Sequence, residues 1–205
     1  MASLVQFPLH PRYMPGIFFP QEEQEERVFL KKWLRLAREP ERYDPDEVPK
    51  RAFLEAAPKT IPDFVKISAR MAMCPEAKAL VEELEPGVHQ FLPVEIVRKR
   101  GKKPIHRLDG RVLDTPYYAL NAQTFLDAVC LERSEVQISP VAGRAPNVWR
   151  LPGKPLVLRR EVVQGHHVWR GRYQLGRDLF FSDALTEAIQ AKKLRKLEFA
   201  RLEEA

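Results

Sequence analysis

Residues 178–199, with the sequence DLFFSDALTEAIQAKKLRKLEF, predict a strand, a helix and a second strand in close succession. The apolar run in Asp178–Phe181 is typical of a buried strand. We predict a helix over Asp183–Lys192, because Ser182 stands where a hydroxyl can accept hydrogen bonds from the free backbone N–H groups of a first turn. Leu197–Phe199 predicts the closing strand. The unit indicates a fold in which helices pack on a sheet.

An earlier part of the chain has the same order of elements. Asp63–Ser68 predicts a strand, and Pro75 suits the first position of a helix. Glu85-Pro86-Gly87 ends that helix. A strand returns over His89–Val97, where Pro93 indicates an edge position or a bulge, since proline has no backbone N–H to donate.

Shorter elements complete the predicted fold. Asp109-Gly110 indicates a hairpin turn between Ile105–Leu108 and Arg111–Leu113. Apolar patterning also predicts a strand over Tyr117–Leu120, a helix over Ala122–Glu132, and a hairpin of Leu156–Val163 and His167–Tyr173 around Gln164-Gly165. We therefore expect an α+β fold: a mixed, mostly antiparallel sheet with helices packed on one side and an N-terminal helical arm.

The first 60 residues are predicted to form that helical arm and a Pro-rich linking segment. Residues 1–20 suit an extended lead-in. Gln21–Glu39 predicts a helix, because acidic residues crowd its start and basic residues its end, as the helix macrodipole favours. Residues 40–62 hold five prolines among charged residues, with at most a short helix near Val48–Ala57. We therefore expect the α+β domain to span residues 61–205.

The length and composition of the chain allow it to bury a core without a disulfide or a metal to stabilise the fold. It has 205 residues, of which 44% are apolar and 30% are charged. Cys74 and Cys130 have no second Cys or His at ligand spacing, so we predict reduced, buried thiols. Without an export signal or an apolar run of roughly 20 residues, the expectation is a cytoplasmic protein that does not enter a membrane. The net charge of +6 favours an acidic partner.

Motifs for catalysis are missing from the sequence. It has no Gly-x-Ser-x-Gly nucleophile, no Gly-rich phosphate loop and no metal-ligand spacing, so we predict no enzymatic activity, catalytic residue, cofactor or metal. His166 and His167 are adjacent, and adjacent side chains of a strand point to opposite faces. An enzyme with an unfamiliar site stays open as an alternative. It would bring a histidine and a carboxylate together, from among His89, His106, His167, Asp109, Asp114 and Glu95.

A basic segment is the candidate partner-binding site. Its residues are Arg98, Lys99, Arg100, Lys102, Lys103, Arg107 and Arg111. The segment suits a solvated hairpin turn, because charged turns keep strand ends soluble. It also suits contact with an acidic protein or with nucleic acid phosphates. No aromatic residues alternate with the basic ones for base stacking, which favours the solvated turn. For these residues alone an acidic protein and nucleic acid stay equally open, so a nucleic-acid-binding module that uses the 98–111 hairpin is kept as an alternative function. Over the whole sequence, nucleic acid is not the partner that we expect.

Several short stretches, taken in order, resemble a known family. They are EPGVHQFLPVEI at 85–96, GHHVWR at 165–170, LFFSDAL at 179–185 and LEF at 197–199, with Tyr117–Leu120 and Ala128-Val129 between the first two. Their order and spacing over roughly residues 60–200 resemble the immunity-protein family of bacterial polymorphic toxin systems, whose type member is a myxobacterial immunity protein. The resemblance implies a small cytoplasmic protein that binds and neutralises a cognate toxin, and it implies no catalytic residues.

Overall fold

The computed structural model describes residues 1–7, 15–19, 40–54, 60–68, 70–101, 103–141, 144–172 and 178–205. Within these residues the fold is mostly β, with few helices. The predicted mixture of parallel and mostly antiparallel pairing is confirmed, but the strands form a closed barrel and a separate six-stranded sheet in place of one sheet. The predicted helix Gln21–Glu39 lies outside the described residues.

Six strands close the barrel. In chain order they are β2 (Ile17–Phe18), β3 (Arg51–Leu54), β5 (Phe64–Ile67), β6 (Arg70–Met73), β7 (Gln90–Arg98) and β9 (Tyr117–Asn121). Around the barrel their order is β2-β3-β7-β9-β6-β5. The first half of β7 pairs with β9, and the second half pairs with β3. Pro93 lies in the first half, where β7 pairs on one side with β9 and, among the described residues, has no strand paired on its other side. This agrees with the predicted edge position.

The six-stranded sheet contains the closing unit of the chain. Its strands are β1 (Ala2–Gln6), β10 (Phe125–Leu126), β13 (Val157–Leu158), β14 (Val168–Gly171), β15 (Leu179–Ser182) and β16 (Glu198–Glu204). β1 lies between β15 and β16 and pairs with both in antiparallel register. In this sheet, a strand that precedes the boundary predicted at residue 60 therefore pairs with strands that follow it. The same is true of the barrel, where β3 pairs with β7.

Two further strand pairs and four short helices complete the described elements. β4 (Thr60–Ile61) pairs with β8 (His106–Arg107), and β11 (Val136–Val141) pairs with β12 (Arg144–Arg150). The helices are α1 (Pro75–Leu84), α2 (Arg160–Val163), α3 (Asp183–Ala191) and a 3-10 turn over Pro45–Glu47. None of these helices is long and apolar enough to cross a membrane, as judged over the described residues.

Helices α1 and α3 form as the local sequence predicts. Pro75 occupies the first turn of α1, where its missing N–H has no intrahelical partner to lose. The Ser182 hydroxyl accepts a hydrogen bond from the Leu185 N–H at the start of α3. α1 packs against α3 and β9, and α3 packs against β15 and β1. The two helices thus lie between barrel and sheet, not on one side of a single sheet as predicted.

The core has two parts, and both faces of β15 are buried. Leu179 and Phe181 belong to the cluster shared with the barrel, α1 and α3, whereas Phe180 belongs to a second cluster on the other face. Trp169 of β14 also lies in the second cluster, where its ring stacks on that of Phe180 with centroids 5.8 Å apart. The apolar run Leu179-Phe180-Phe181 therefore reflects a strand covered on both sides.

Two predicted elements are wrong. The segment Ala122–Glu132 is not a helix: Phe125–Leu126 forms β10 beside β14, and Val129 bridges to Leu158. Its apolar side chains fill the second cluster through these distant pairings. Leu156–Val163 and His167–Tyr173 do not pair as a hairpin either. β13 pairs in parallel with β16, and α2 lies between β13 and Gln164-Gly165.

The segment around residue 50 also differs from its prediction. In place of a short helix near Val48–Ala57, Arg51–Leu54 forms β3, and residues 55–59 lie outside the described residues. Ala52 and Leu54 are buried in the barrel while Arg51 is exposed, so the alternation of a strand decides the local structure. The predicted turn at Asp109-Gly110 is confirmed, with Gly110 at φ +88° and the Arg107 N–H donating to the Arg111 carbonyl.

Candidate functional site

The basic segment begins at the end of β7, where Arg98 fastens the turn that follows. Its Nε donates to the Lys103 carbonyl at 2.9 Å and its Nη2 to the Pro104 carbonyl at 3.2 Å. Lys99, Arg100 and Lys103 are exposed, and Lys102 lies outside the described residues. Arg98 is engaged in holding the backbone of the loop. The other described basic residues of this loop, Lys99, Arg100 and Lys103, are exposed, and we term them the basic turn.

Arg107 belongs to the interior of the protein and not to this surface. Only 5% of the residue is exposed. Its Nη2 lies 3.1 Å from Asp63 Oδ1 and its Nη1 lies 2.9 Å from Glu76 Oε1. Burial by itself lowers the pKa of Arg107, but the hydrogen bonds with Glu76 and Asp63 outweigh burial and raise it. The guanidinium joins β8 to α1 and to the start of β5, so we leave Arg107 out of the candidate binding surface.

Arg111 is exposed, and its charge is shared with two carboxylates. Its Nε lies 2.7 Å from Asp109 Oδ2 and its Nη2 lies 2.9 Å from Glu76 Oε1, with 63% of the side chain exposed. Hydrogen bonds to Asp109 and then Glu76 raise the pKa of Arg111. Of the seven residues predicted to bind a partner, the structure therefore separates the paired Arg107 and Arg111 from the basic turn.

A cleft of about 560 Å³ lies beside the basic turn. Arg98 and Lys103 line it together with Glu95 and Asp114, and Leu113 supplies part of its apolar wall. Its charges are therefore mixed, whereas Lys99 and Arg100 stand exposed next to it. The cations of Lys99 and Arg100 are therefore accessible from solvent.

Glu85 joins two of the stretches that resemble the immunity family. It follows α1, and its carboxylate accepts hydrogen bonds from the backbone N–H groups of His167 and Val168, both at 2.9 Å. The His89 Nε2 lies 2.7 Å from Glu85 Oε2. Burial opposes ionisation, but the hydrogen bonds from His89 and the two backbone groups outweigh it and lower the pKa of Glu85. We term this cluster the Glu85 junction.

The candidate histidines have structural partners. His89 Nδ1 accepts from the Gln123 N–H at 3.2 Å, which assigns the proton to Nε2 and makes that atom a donor to Glu85. His167 Nδ1 lies 2.8 Å from Ser182 Oγ, the same hydroxyl that caps α3. His106 lies in β8, which pairs with β4. Each of these contacts is explained by packing or capping.

The prediction for His166 and His167 assumed that both residues lie on a strand, and the structure contradicts this assumption. Both residues precede β14, so strand alternation does not apply to them. Both residues line one cleft of about 410 Å³, which Trp169 and Ser182 also line. Trp169 is 1% exposed and packs in the second cluster. Among the described residues, no three His, Cys, Asp or Glu side chains gather as a metal site would require.

Sequence reasoning missed one exposed feature, the hairpin of β11 and β12. Ile138 is 50% exposed and Trp149 is 44% exposed on this hairpin. The alternation Val136-Gln137-Ile138-Ser139 could have indicated a strand. No pattern in the sequence shows that the hairpin leaves a tryptophan exposed to solvent, because exposure depends on which other elements cover it.

Comparison with known protein families gives a match over nearly the whole chain. The sequence model described as Immunity protein family (Imm11) matches residues 9–204. No curated protein matches the chain. The matched range contains the basic turn, the Glu85 junction and the hairpin of β11 and β12.

Proposed function

Because this chain belongs to the Immunity protein family (Imm11), we propose that it binds a cognate bacterial toxin and neutralises it by stoichiometric binding, without catalysis of its own. The observation that carries this proposal is the family match, which extends over nearly the whole chain. An inhibitor of this kind needs a rigid scaffold and an accessible surface that complements the toxin.

The Glu85 junction supports the scaffold part of the proposal. It uses residues from two of the stretches that resemble the family, Glu85 and His89 from the first and His167 and Val168 from the second. These residues hold α1 to β14 through hydrogen bonds to a buried carboxylate. Two of the stretches that carry the resemblance therefore have a structural role in this chain, which is compatible with a toxin-facing surface elsewhere.

The basic turn supports an acidic partner. Lys99, Arg100 and Lys103 are exposed, and the chain as a whole carries a net charge of +6. Charges at the rim of an interface mainly accelerate association, because they steer the two proteins together before contact. We therefore propose that the basic turn faces carboxylates on the toxin and raises the association rate.

Growth rescue tests the function, and association kinetics test the acidic partner. Co-expression with the toxin encoded beside this gene is expected to restore growth, and failure to do so would contradict the proposed function. The variant Lys99→Glu/Arg100→Glu is expected to lower the association rate at least ~10-fold at low salt. The control Lys192→Glu/Lys193→Glu reverses two adjacent exposed charges elsewhere and is expected to leave the rate within about 3-fold. An association rate that does not vary with salt would refute the role of the basic turn.

A further inference from the structure

The hairpin of β11 and β12 is attached to the body mainly at its base. Among the described residues, the two strands pair with each other and with no other strand. Next to the hairpin, the Glu135 N–H donates to the Pro155 carbonyl at 3.0 Å, and Ser134 Oγ accepts from the Val157 N–H at 2.9 Å. These bonds hold the base in a fixed place, so the hairpin is a positioned element with two faces.

Exposed apolar side chains occupy both faces of this hairpin. The register places Ile138 opposite Val148 and Gln137 opposite Trp149, so Ile138 and Trp149 lie on different faces. Val148 is 5% exposed, so part of the face that carries Ile138 is covered. Ile138 and Trp149 are nevertheless 50% and 44% exposed. A ribbon that is apolar on both faces fits a cleft better than a flat surface, because a cleft covers both.

The backbone of the hairpin is poorly suited to adding another strand. Pro140 lies in β11 and Pro146 lies in β12, and neither residue has an N–H to donate to a neighbouring ladder. The register also shifts between Ser139 and Val141. Prolines and irregular register are features by which exposed strands avoid edge-to-edge pairing. Recognition at this hairpin must therefore depend on side chains.

The charges of the hairpin have one sign. Residues 136–150 contain two arginines, Arg144 and Arg150, and no aspartate or glutamate, which gives a formal charge of +2. Arg150 is close enough to Asp178 to counter the rise in pKa that burial imposes on that carboxyl. Arg144 follows the tip of the hairpin. An acidic partner would meet no like charge from the hairpin itself.

We propose that this hairpin inserts into an acidic, partly apolar cleft of the cognate toxin, with Trp149 as its principal anchor and Ile138 on the opposite face. This inference rests on the proposed function, and it names the contact surface that the proposed function leaves open. Tryptophan and arginine are the residues that most often dominate binding energy at protein interfaces, because they combine a large contact area with directed polar contacts.

Alanine substitution with a matched aromatic control tests the proposal on the full chain. Trp149→Ala is expected to raise the Kd for the toxin encoded beside this gene about 30-fold or more, which corresponds to about 2 kcal/mol. Ile138→Ser is expected to raise it about 5-fold or more. Phe18 is an aromatic residue of the barrel with 41% exposure, and Phe18→Ala is expected to leave the Kd within about 3-fold. Calorimetry measures these constants, and circular dichroism verifies that each variant is folded.

Each alternative outcome has a defined meaning. If the wild-type chain does not bind the toxin, the proposed function fails and this inference fails with it. If the wild type binds and the hairpin variants bind equally well, only this inference is overturned. A Trp149→Ala variant that unfolds several degrees below the wild type would show that the ring packs within the chain. If the wild-type chain forms a dimer and Trp149→Ala does not, a second copy occupies this surface and the proposal is overturned. If single-stranded DNA quenches the fluorescence of the wild-type chain, nucleic acid occupies this surface and the proposal is likewise overturned.

Discussion

Replacing Glu85 with alanine would remove the acceptor of three hydrogen bonds at the junction between helix α1 and strand β14. The backbone N–H groups of His167 and Val168 and the Nε2–H of His89 would lose their partner. The Glu85 side chain is 6% exposed, so water cannot replace it without a rearrangement. Each unsatisfied buried donor costs about 1–3 kcal/mol, and we expect Glu85→Ala to lower the free energy of unfolding by about 3–5 kcal/mol.

Urea unfolding at pH 7 measures this change. Glu83 lies on the same helix and is exposed, so Glu83→Ala is the matched control and is expected to stay within about 0.5 kcal/mol of wild type. The expected loss is a large fraction of the 5–15 kcal/mol that stabilises a typical domain. A change below about 1 kcal/mol for Glu85→Ala would refute the reasoning, because it would mean that the three donors find other partners.

The pH dependence of the same site gives an independent test. The pKa of Glu85 is lower in the folded state than its ordinary value of 4.5, because the donors that surround it outweigh the effect of burial. The ionised carboxylate therefore adds stability above the unfolded-state pKa, and this contribution disappears as the pH falls through the folded-state pKa. Glu85→Gln resembles the protonated acid, so its stability difference from wild type is expected to narrow below about pH 4.5. A difference that stays constant down to pH 3 would contradict this assignment.

Four further substitutions, at Arg107, Arg111 and Ser182, test the buried ion pairs and the cap of α3. Arg107→Ala leaves the carboxylates of Asp63 and Glu76 without their buried partner, and we expect it to lower the free energy of unfolding by about 3–5 kcal/mol in urea. Arg111→Ala is its control and should cost much less stability than Arg107→Ala, because Arg111 is exposed; equal losses would contradict the burial argument. Ser182→Ala removes the cap of α3 and should cost about 1 kcal/mol, measured as a lower thermal midpoint, while Ser182→Thr should retain most of the stability.

Several elements could be predicted because their signals are local. Ser182 caps α3 and Pro75 begins α1, so both helices form near the predicted bounds. Gly110 adopts the positive φ that the hairpin turn at Asp109-Gly110 requires. The strands over Gln90–Arg98 and Tyr117–Asn121 also match their predictions closely. In each case a cap, a proline, a glycine or an apolar pattern acts over a few residues.

Part of the candidate site could be predicted for the same reason. Lys99, Arg100 and Lys103 follow a strand end and are exposed, as a charged turn should be. Arg107 looks the same in the sequence, yet it is buried, because its partners Glu76 and Asp63 lie 31 and 44 residues away along the chain. The exposure of Trp149 was equally hidden, since it depends on which elements leave the hairpin uncovered.

The sequence by itself determined the closing strand–helix–strand unit, the helix at Pro75 and the family resemblance. Only the tertiary structure decided that β1 lies between β15 and β16, that six strands close a barrel, and that Ala122–Glu132 pairs as strand. It also decided that Glu85 binds the backbone of His167, 82 residues further along. The physical reason is that caps and turns depend on neighbouring residues, whereas strand partners and buried charge pairs depend on contacts between distant segments.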